Sequence, residues 1–267
     1  MADRGLLYEQ VVRKSISDAA SNISTLKIHP DTGGAYDSTV VDIYLDVIKD
    51  NRFQKVGVEV KLDNKAQLGG TSVNYDMTSH EFSLSKKAAK EVDPDTAEMI
   101  LSAAETTRKK LDDFLNFLRE QEPLAYHNNI DGLPVTAAKD AFEDARKKGF
   151  LVPLNKRIRH TMSFVYDHYE HKKCYYMQIG GMGLFYLKKN PLNLPIPQLT
   201  GSIDVEMRFG RAGSRMNKEY GIKVAGGNYR IQGRLRVASN SIGRRSPYSL
   251  DNKKDVATLF KDIDRDD

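Results

Sequence analysis

Asp42, Glu59 and Lys61 are the residues whose types and spacing best fit chemistry in this 267-residue chain. They fall in two runs, Thr39–Ile48 and Lys55–Leu62, whose alternation of apolar and polar residues reads as strands. The polar Lys49-Asp50-Asn51-Arg52 between them reads as a turn. A hairpin centred on Asp50 and Asn51 sets Val41 against Val60, Ile43 against Val58 and Leu45 against Val56 on one side. The other side then receives Asp42 across from Glu59, with Lys61 on the same face because residues two apart on a strand point alike. A slip of one residue would undo both results.

Two carboxylates beside a lysine suit hydrolysis of a phosphodiester. That reaction builds negative charge on the phosphorus centre and on the leaving oxygen, and hard cations with oxygen ligands stabilise it. Mg²⁺ is such an ion, commonly held by one or two carboxylates together with waters. Asp42 and Glu59 are therefore the expected ligands, with the carbonyl of Val60 as a further oxygen, and Mn²⁺ is an expected substitute. Lys61 would either orient and deprotonate the attacking water or stabilise the phosphorane, and the sequence leaves both roles open.

Val41-Asp42-Ile43, followed on the next strand by Val58-Glu59-Val60-Lys61, resembles the PD-(D/E)xK nuclease superfamily, which includes many type II restriction endonucleases and Holliday-junction resolvases. Val41 stands where the family's named pattern has proline. The resemblance spans roughly residues 5–75. It implies an α/β, restriction-endonuclease-like core, with an N-terminal helix and a mixed central sheet flanked by helices, extended by a β-rich C-terminal recognition region. It also implies a catalytic part for Glu9, on the helix before the hairpin. The expected activity is that of a Mg²⁺-dependent endonuclease on double-stranded DNA, foremost a site-specific restriction enzyme acting as a homodimer. A phage or mobile-element nuclease or a junction resolvase is the near alternative, and a non-catalytic DNA-binding protein the alternative of another class.

Several elements must position these residues. Leu6 to Ile23 carries apolar residues at helical spacing. Asp93-Pro94-Asp95-Thr96 reads as the start of a helix running to about Glu120, and Thr136–Lys148 as a shorter helix closed by Gly149. Gly69-Gly70 suggests a loop, in which Gln67 and Ser72 would touch the scissile strand. From Leu151 the texture turns to short strands, namely Met162–Tyr169, Cys174–Ile179, Leu184–Leu187, Ile203–Phe209 and Tyr229–Val237. A short helix is expected within residues 251–267.

Charge divides the chain more sharply than its net +5 suggests. Residues 1–154 carry 20 Lys and Arg against 25 Asp and Glu, whereas residues 155–250 carry 17 against 5. This contrast suggests a nuclease core over 1–154 and a basic β-rich DNA-recognition region over 155–267. Arg208, Arg211, Arg215 and Lys218 surround a Gly-rich turn, and Arg230, Arg234 and Arg236 alternate along one strand, so all seven are expected DNA contacts. His168 and His171 read as surface histidines on an extended segment. The lone cysteine, Cys174, excludes an internal disulfide and a thiolate zinc site. No apolar run approaches the length of a membrane span and Met1-Ala2-Asp3-Arg4-Gly5 is no secretory signal, so a cytoplasmic protein is expected.

Overall fold

The computed structural model describes residues 4–30, 41–75, 79–85, 89, 92, 94–109, 111–113, 116, 156–210, 213–216, 223–226, 230–237, 242–261 and 263. Helix α1 (Arg4–Ala20) buries Val12, Ile16 and Ala19 at three-to-four-residue spacing, as its sequence requires. It is followed by β1 (Leu26–Ile28), β2 (Ile43–Lys49) and β3 (Arg52–Lys61). The β2–β3 hairpin has the expected register, with Ile43 opposite Val58, Leu45 opposite Val56 and Lys49 opposite Arg52. Its turn is the two residues Asp50 and Asn51, both with positive φ (53° and 56°), which matches the twist of the flanking strands.

Next come β4 (Gln67–Tyr75), β5 (Phe82–Leu84), α2 (Pro94–Glu105), β6 (Lys156–Thr161), α3 (Ser163–His171), β7 (Cys174–Ile179) and β8 (Gly183–Tyr186). The last elements are β9 (Ser202–Gly210), β10 (Gly213–Met216), β11 (Lys223–Gly226), β12 (Arg230–Val237) and α4 (Lys253–Phe260). The protein is thus a mixed α/β fold. One sheet has the order β1-β2-β3-β7-β8, a second β5-β4-β12-β9-β6, and β10 pairs with β11. In the first sheet β3 and β7 are parallel and the other pairs antiparallel.

Four expectations are corrected. The segment 162–169 is helical, not extended: Phe164, Val165, His168 and Tyr169 are buried at helical spacing, a period that its aromatic and β-branched composition masks. His168 is accordingly buried, whereas His171 is exposed. The Gly69-Gly70 loop is part of strand β4, so tertiary pairing overrides the weak strand propensity of glycine. Helix α2 ends at Glu105, where Thr107 donates its hydroxyl and its amide to the Ala104 carbonyl in a turn before further helical residues. Residues 117–150, with the expected 136–148 helix, lie outside the described residues.

Contacts group the chain into two units, 1–69 with 160–203 and 236–267, and 70–159 with 204–235. The compositional boundary at 154/155 lies inside the second. In the first unit, Val12 and Ile16 of α1, Ile43, Leu45 and Val47 of β2, Val56, Val58 and Val60 of β3, and Val256, Leu259 and Phe260 of α4 form one core. No helix among the described residues is long and apolar enough to cross a membrane.

Two glycines let β7 approach β3. At Gly57, where the β3–β7 register shifts, a Cβ would lie 2.9 Å from the Lys173 carbonyl oxygen and 3.1 Å from Val41 Cγ2. At Gly180, whose amide donates to the Lys61 carbonyl at 2.9 Å, a Cβ would fall 2.0 Å from the Leu62 carbonyl oxygen. Backbone must move to admit it. Gly180→Ala is therefore expected to destabilise the fold by at least about 2 kcal/mol, read as a lower urea midpoint; an unchanged midpoint would contradict this packing.

Candidate active site

The hairpin ladder stops at Ile43–Val58, and residues 41–42 bend away before β2 begins. Val41 is buried against Gly57 and does not face Val60, and Asp42 is not paired with Glu59 across the ladder as the sequence suggested. The bend instead turns the Asp42 side chain toward β3, where its Oδ2 accepts the Val60 amide at 2.7 Å. Glu59 and Lys61 project from the face of β3 opposite the buried Val58 and Val60. Lys61 Nζ donates to Glu59 Oε1 at 2.5 Å. The three side chains are brought together, with Asp42 arriving by a different local geometry from the one expected.

The electrostatics of the cluster follow from burial. Glu59 is 7% exposed. Burial raises the Asp42 carboxyl to about 7, the charge of Glu59 adds to this, and Lys61 and the Val60 amide only partly oppose it. For Lys61 burial works against the ammonium, but the carboxylates of Glu59 and Asp42 outweigh it and hold the group above its ordinary value. It stays charged at neutral pH. Cys174 lies nearby, and burial pushes its thiol well up, which disfavours a thiolate nucleophile.

Two residues of the surround escaped the sequence reading. The Tyr169 hydroxyl on α3 lies 3.2 Å from Glu59 Oε1 and close to the Leu68 carbonyl, two acceptors that compete for its one proton, and it was hidden by the misread segment. Arg13 donates from Nη2 to Glu9 Oε1 and to the Asp42 carbonyl, the latter at 2.9 Å. Its signal was present, since Glu9 and Arg13 are four apart on a helix. Glu9 itself is buried, 8% exposed, and its charge contributes to raising Asp42.

Behind β3, the fully buried Gln178 of β7 sits opposite Val60 in the parallel register. Its Oε1 accepts the Leu250 amide at 2.8 Å, and its Nε2 donates to Tyr8 Oη at 3.0 Å and Ser249 Oγ at 2.8 Å. Tyr8 in turn donates to Asp251 Oδ2 at 2.7 Å. This network fixes α1, and with it Glu9 and Arg13, against the strand beside β3.

The expected DNA contacts are less fully placed. Gln67 is half-buried at the start of β4, and Ser72 lies further along that strand, not in a loop. Arg208 falls on β9, Arg215 on β10, and Arg230, Arg234 and Arg236 on β12. Arg211 and Lys218 lie outside the described residues.

A divalent ion is compatible with this donor set. Two neighbouring carboxylates, one held above its ordinary pKa by burial and by the other's charge, are what a hard cation would relieve. Among the described residues, however, no group of three or more His, Cys, Asp or Glu side chains is placed to share an ion. Any such ion would complete its shell with backbone oxygen, water or substrate.

No protein-family model matches the chain, and no curated protein does. Among solved structures, HhaI endonuclease in complex with DNA aligns over 88% of this chain and 92% of its own, at 12% identity and a TM-score of 0.43.

The raised Asp42 carboxyl has a definite stability signature. Its folded pKa lies above the unfolded one, so the folded state binds the proton more tightly, and stability falls as pH rises from about 4 to about 7. The loss approaches roughly 1.4 kcal/mol per pH unit across that window. Asp42→Asn keeps an acceptor for the Val60 amide without the charge. In EDTA buffer the variant should melt higher than wild type at pH 8, with a smaller difference at pH 5; equal differences at both would argue against the raised carboxyl.

Proposed function

We propose that the protein is a Mg²⁺-dependent endodeoxyribonuclease that hydrolyses phosphodiester bonds of double-stranded DNA on a restriction-endonuclease-like core. The observation that carries this reading is the convergence of Asp42, Glu59 and a charged Lys61 at the end of one hairpin, in the order and spacing of the PD-(D/E)xK motif. Asp42 and Glu59 would hold the ion, joined by the Val60 carbonyl. When bound, Mg²⁺ would supply Lewis acidity to the phosphoryl oxygen and acidify the attacking water.

The remaining work falls to the chain. Without a metal, the carboxylates of Glu59 and Asp42 favour the charged form of Lys61, and as an ammonium it would stabilise the negative phosphorane. The Val60 amide fixes the orientation of Asp42, and Lys61 that of Glu59. Arg208, Arg215, Arg230, Arg234 and Arg236, in the basic part of the sequence, would be the phosphate contacts. A site-specific restriction enzyme acting as a homodimer is the favoured subclass, because two symmetry-related centres cut both strands directly.

Plasmid DNA incubated with purified protein and Mg²⁺ should be nicked or linearised, and excess EDTA should stop the reaction. Asp42→Ala, Glu59→Ala and Lys61→Ala should each lower the rate by at least about 100-fold while retaining DNA binding. Binding without cleavage by wild type at any concentration would favour a non-catalytic DNA-binding protein. Mapped ends at one repeated sequence would identify a specific enzyme, and scattered ends a nonspecific one.

A further inference from the structure

Glu9, Asp42 and Glu59 place three carboxylates close enough for the other two to raise Asp42. They are not equivalent. Arg13 Nη2 grips Glu9 Oε1 and the Asp42 carbonyl together, so one guanidinium joins a helix side chain to the main chain of the residue that leaves the ladder. Asp42 Oδ2 is committed to the Val60 amide, and Glu59 Oε1 to Lys61, with the Tyr169 hydroxyl 3.2 Å away. Asp42 Oδ1 and Glu59 Oε2 are the oxygens of this pair that no described residue takes. The three acids do not form a group able to share one ion.

We infer that Arg13 is a positioning residue that withdraws Glu9 from the ligand set, so that the site holds a single divalent ion between Asp42 and Glu59; this rests on the metal-dependent reading above. A guanidinium paired with Glu9 cancels the charge that a second cation would need and repels an ion brought beside it. Its bond to the Asp42 carbonyl fixes the main chain from which the carboxylate projects, as outer-shell partners orient metal ligands elsewhere. The departure from the family expectation is therefore chemical: Glu9 acts on Arg13, and through it on Asp42, without touching the ion.

The test is Mn²⁺ binding to the full-length protein, with free ion counted by its EPR signal. Wild type should bind one ion per chain. Glu9→Gln, which keeps an oxygen for Arg13, should change the dissociation constant less than about threefold, whereas Asp42→Asn and Glu59→Gln should weaken binding at least about tenfold. The double variant Arg13→Met/Glu9→Gln, which leaves neither charge buried alone, should weaken binding about tenfold at an unchanged melting temperature, and Arg13→Lys should retain most of the affinity. Two ions per wild-type chain, or a loss in Glu9→Gln equal to that in Asp42→Asn, overturns the inference. Wild type that binds no Mn²⁺ at millimolar concentration, alike with Asp42→Asn, overturns the metal-dependent reading itself. The wild-type and Glu9→Gln measurements decide whether Glu9 is a ligand whether or not the double variant folds, and an affinity of the folded double variant equal to that of Glu9→Gln overturns the part given to Arg13.

Discussion

The bond from the Val60 amide to Asp42 Oδ2 is the constraint on which the site depends. A regular ladder would have placed Asp42 opposite Glu59 by main-chain pairing alone. Here the ladder stops at Ile43–Val58, just short of Asp42, and a charge-assisted side-chain bond takes over from it. The aspartate is thus held by its own functional group, and its remaining oxygen is directed by that bond. Gly57 makes the arrangement possible, because its missing side chain leaves room for Val41 and for the start of β7 at the bend.

Charge decides what such a cluster can tolerate. Burying carboxylates is costly unless each is paired or hydrogen-bonded. Glu59 meets this condition through Lys61, and Glu9 through Arg13. Asp42 has a backbone amide but, among the described residues, no cation of its own, and its carboxyl is driven to about 7. The residual electrostatic stress is therefore concentrated on one residue, where a substrate-bound cation would be most welcome. A site satisfied throughout would have less to gain from a ligand.

Much of this was legible in the sequence, and the failures share a cause. The β2–β3 register could be read because Ile43, Leu45, Val56 and Val58 leave one pairing that buries them all. β7 could be read because Cys174–Ile179 is a short apolar run buried at nearly every position. Helix α3 was missed because its Phe, Val and Tyr residues favour strands locally, and only burial on one side reveals the helical period. That error concealed Tyr169. The bend at Asp42 was not legible either, since nothing in residues 39–43 marks the end of pairing and the close approach of Val41 to Gly57 is a tertiary feature. Gln178 was invisible as a functional neighbour because its partners, Tyr8, Ser249 and Leu250, lie at the two ends of the chain.

The bond between Tyr8 and Asp251 spans 243 positions of sequence. During synthesis the ribosome releases Asp42, Glu59 and Lys61 long before the segment that anchors α1 to Gln178 exists. A nascent chain stopped short of Leu250 would carry all three charged groups yet lack the frame that holds the first helix beside them. Docking of the first helix beside these groups consequently waits on the closure of a loop of 243 positions.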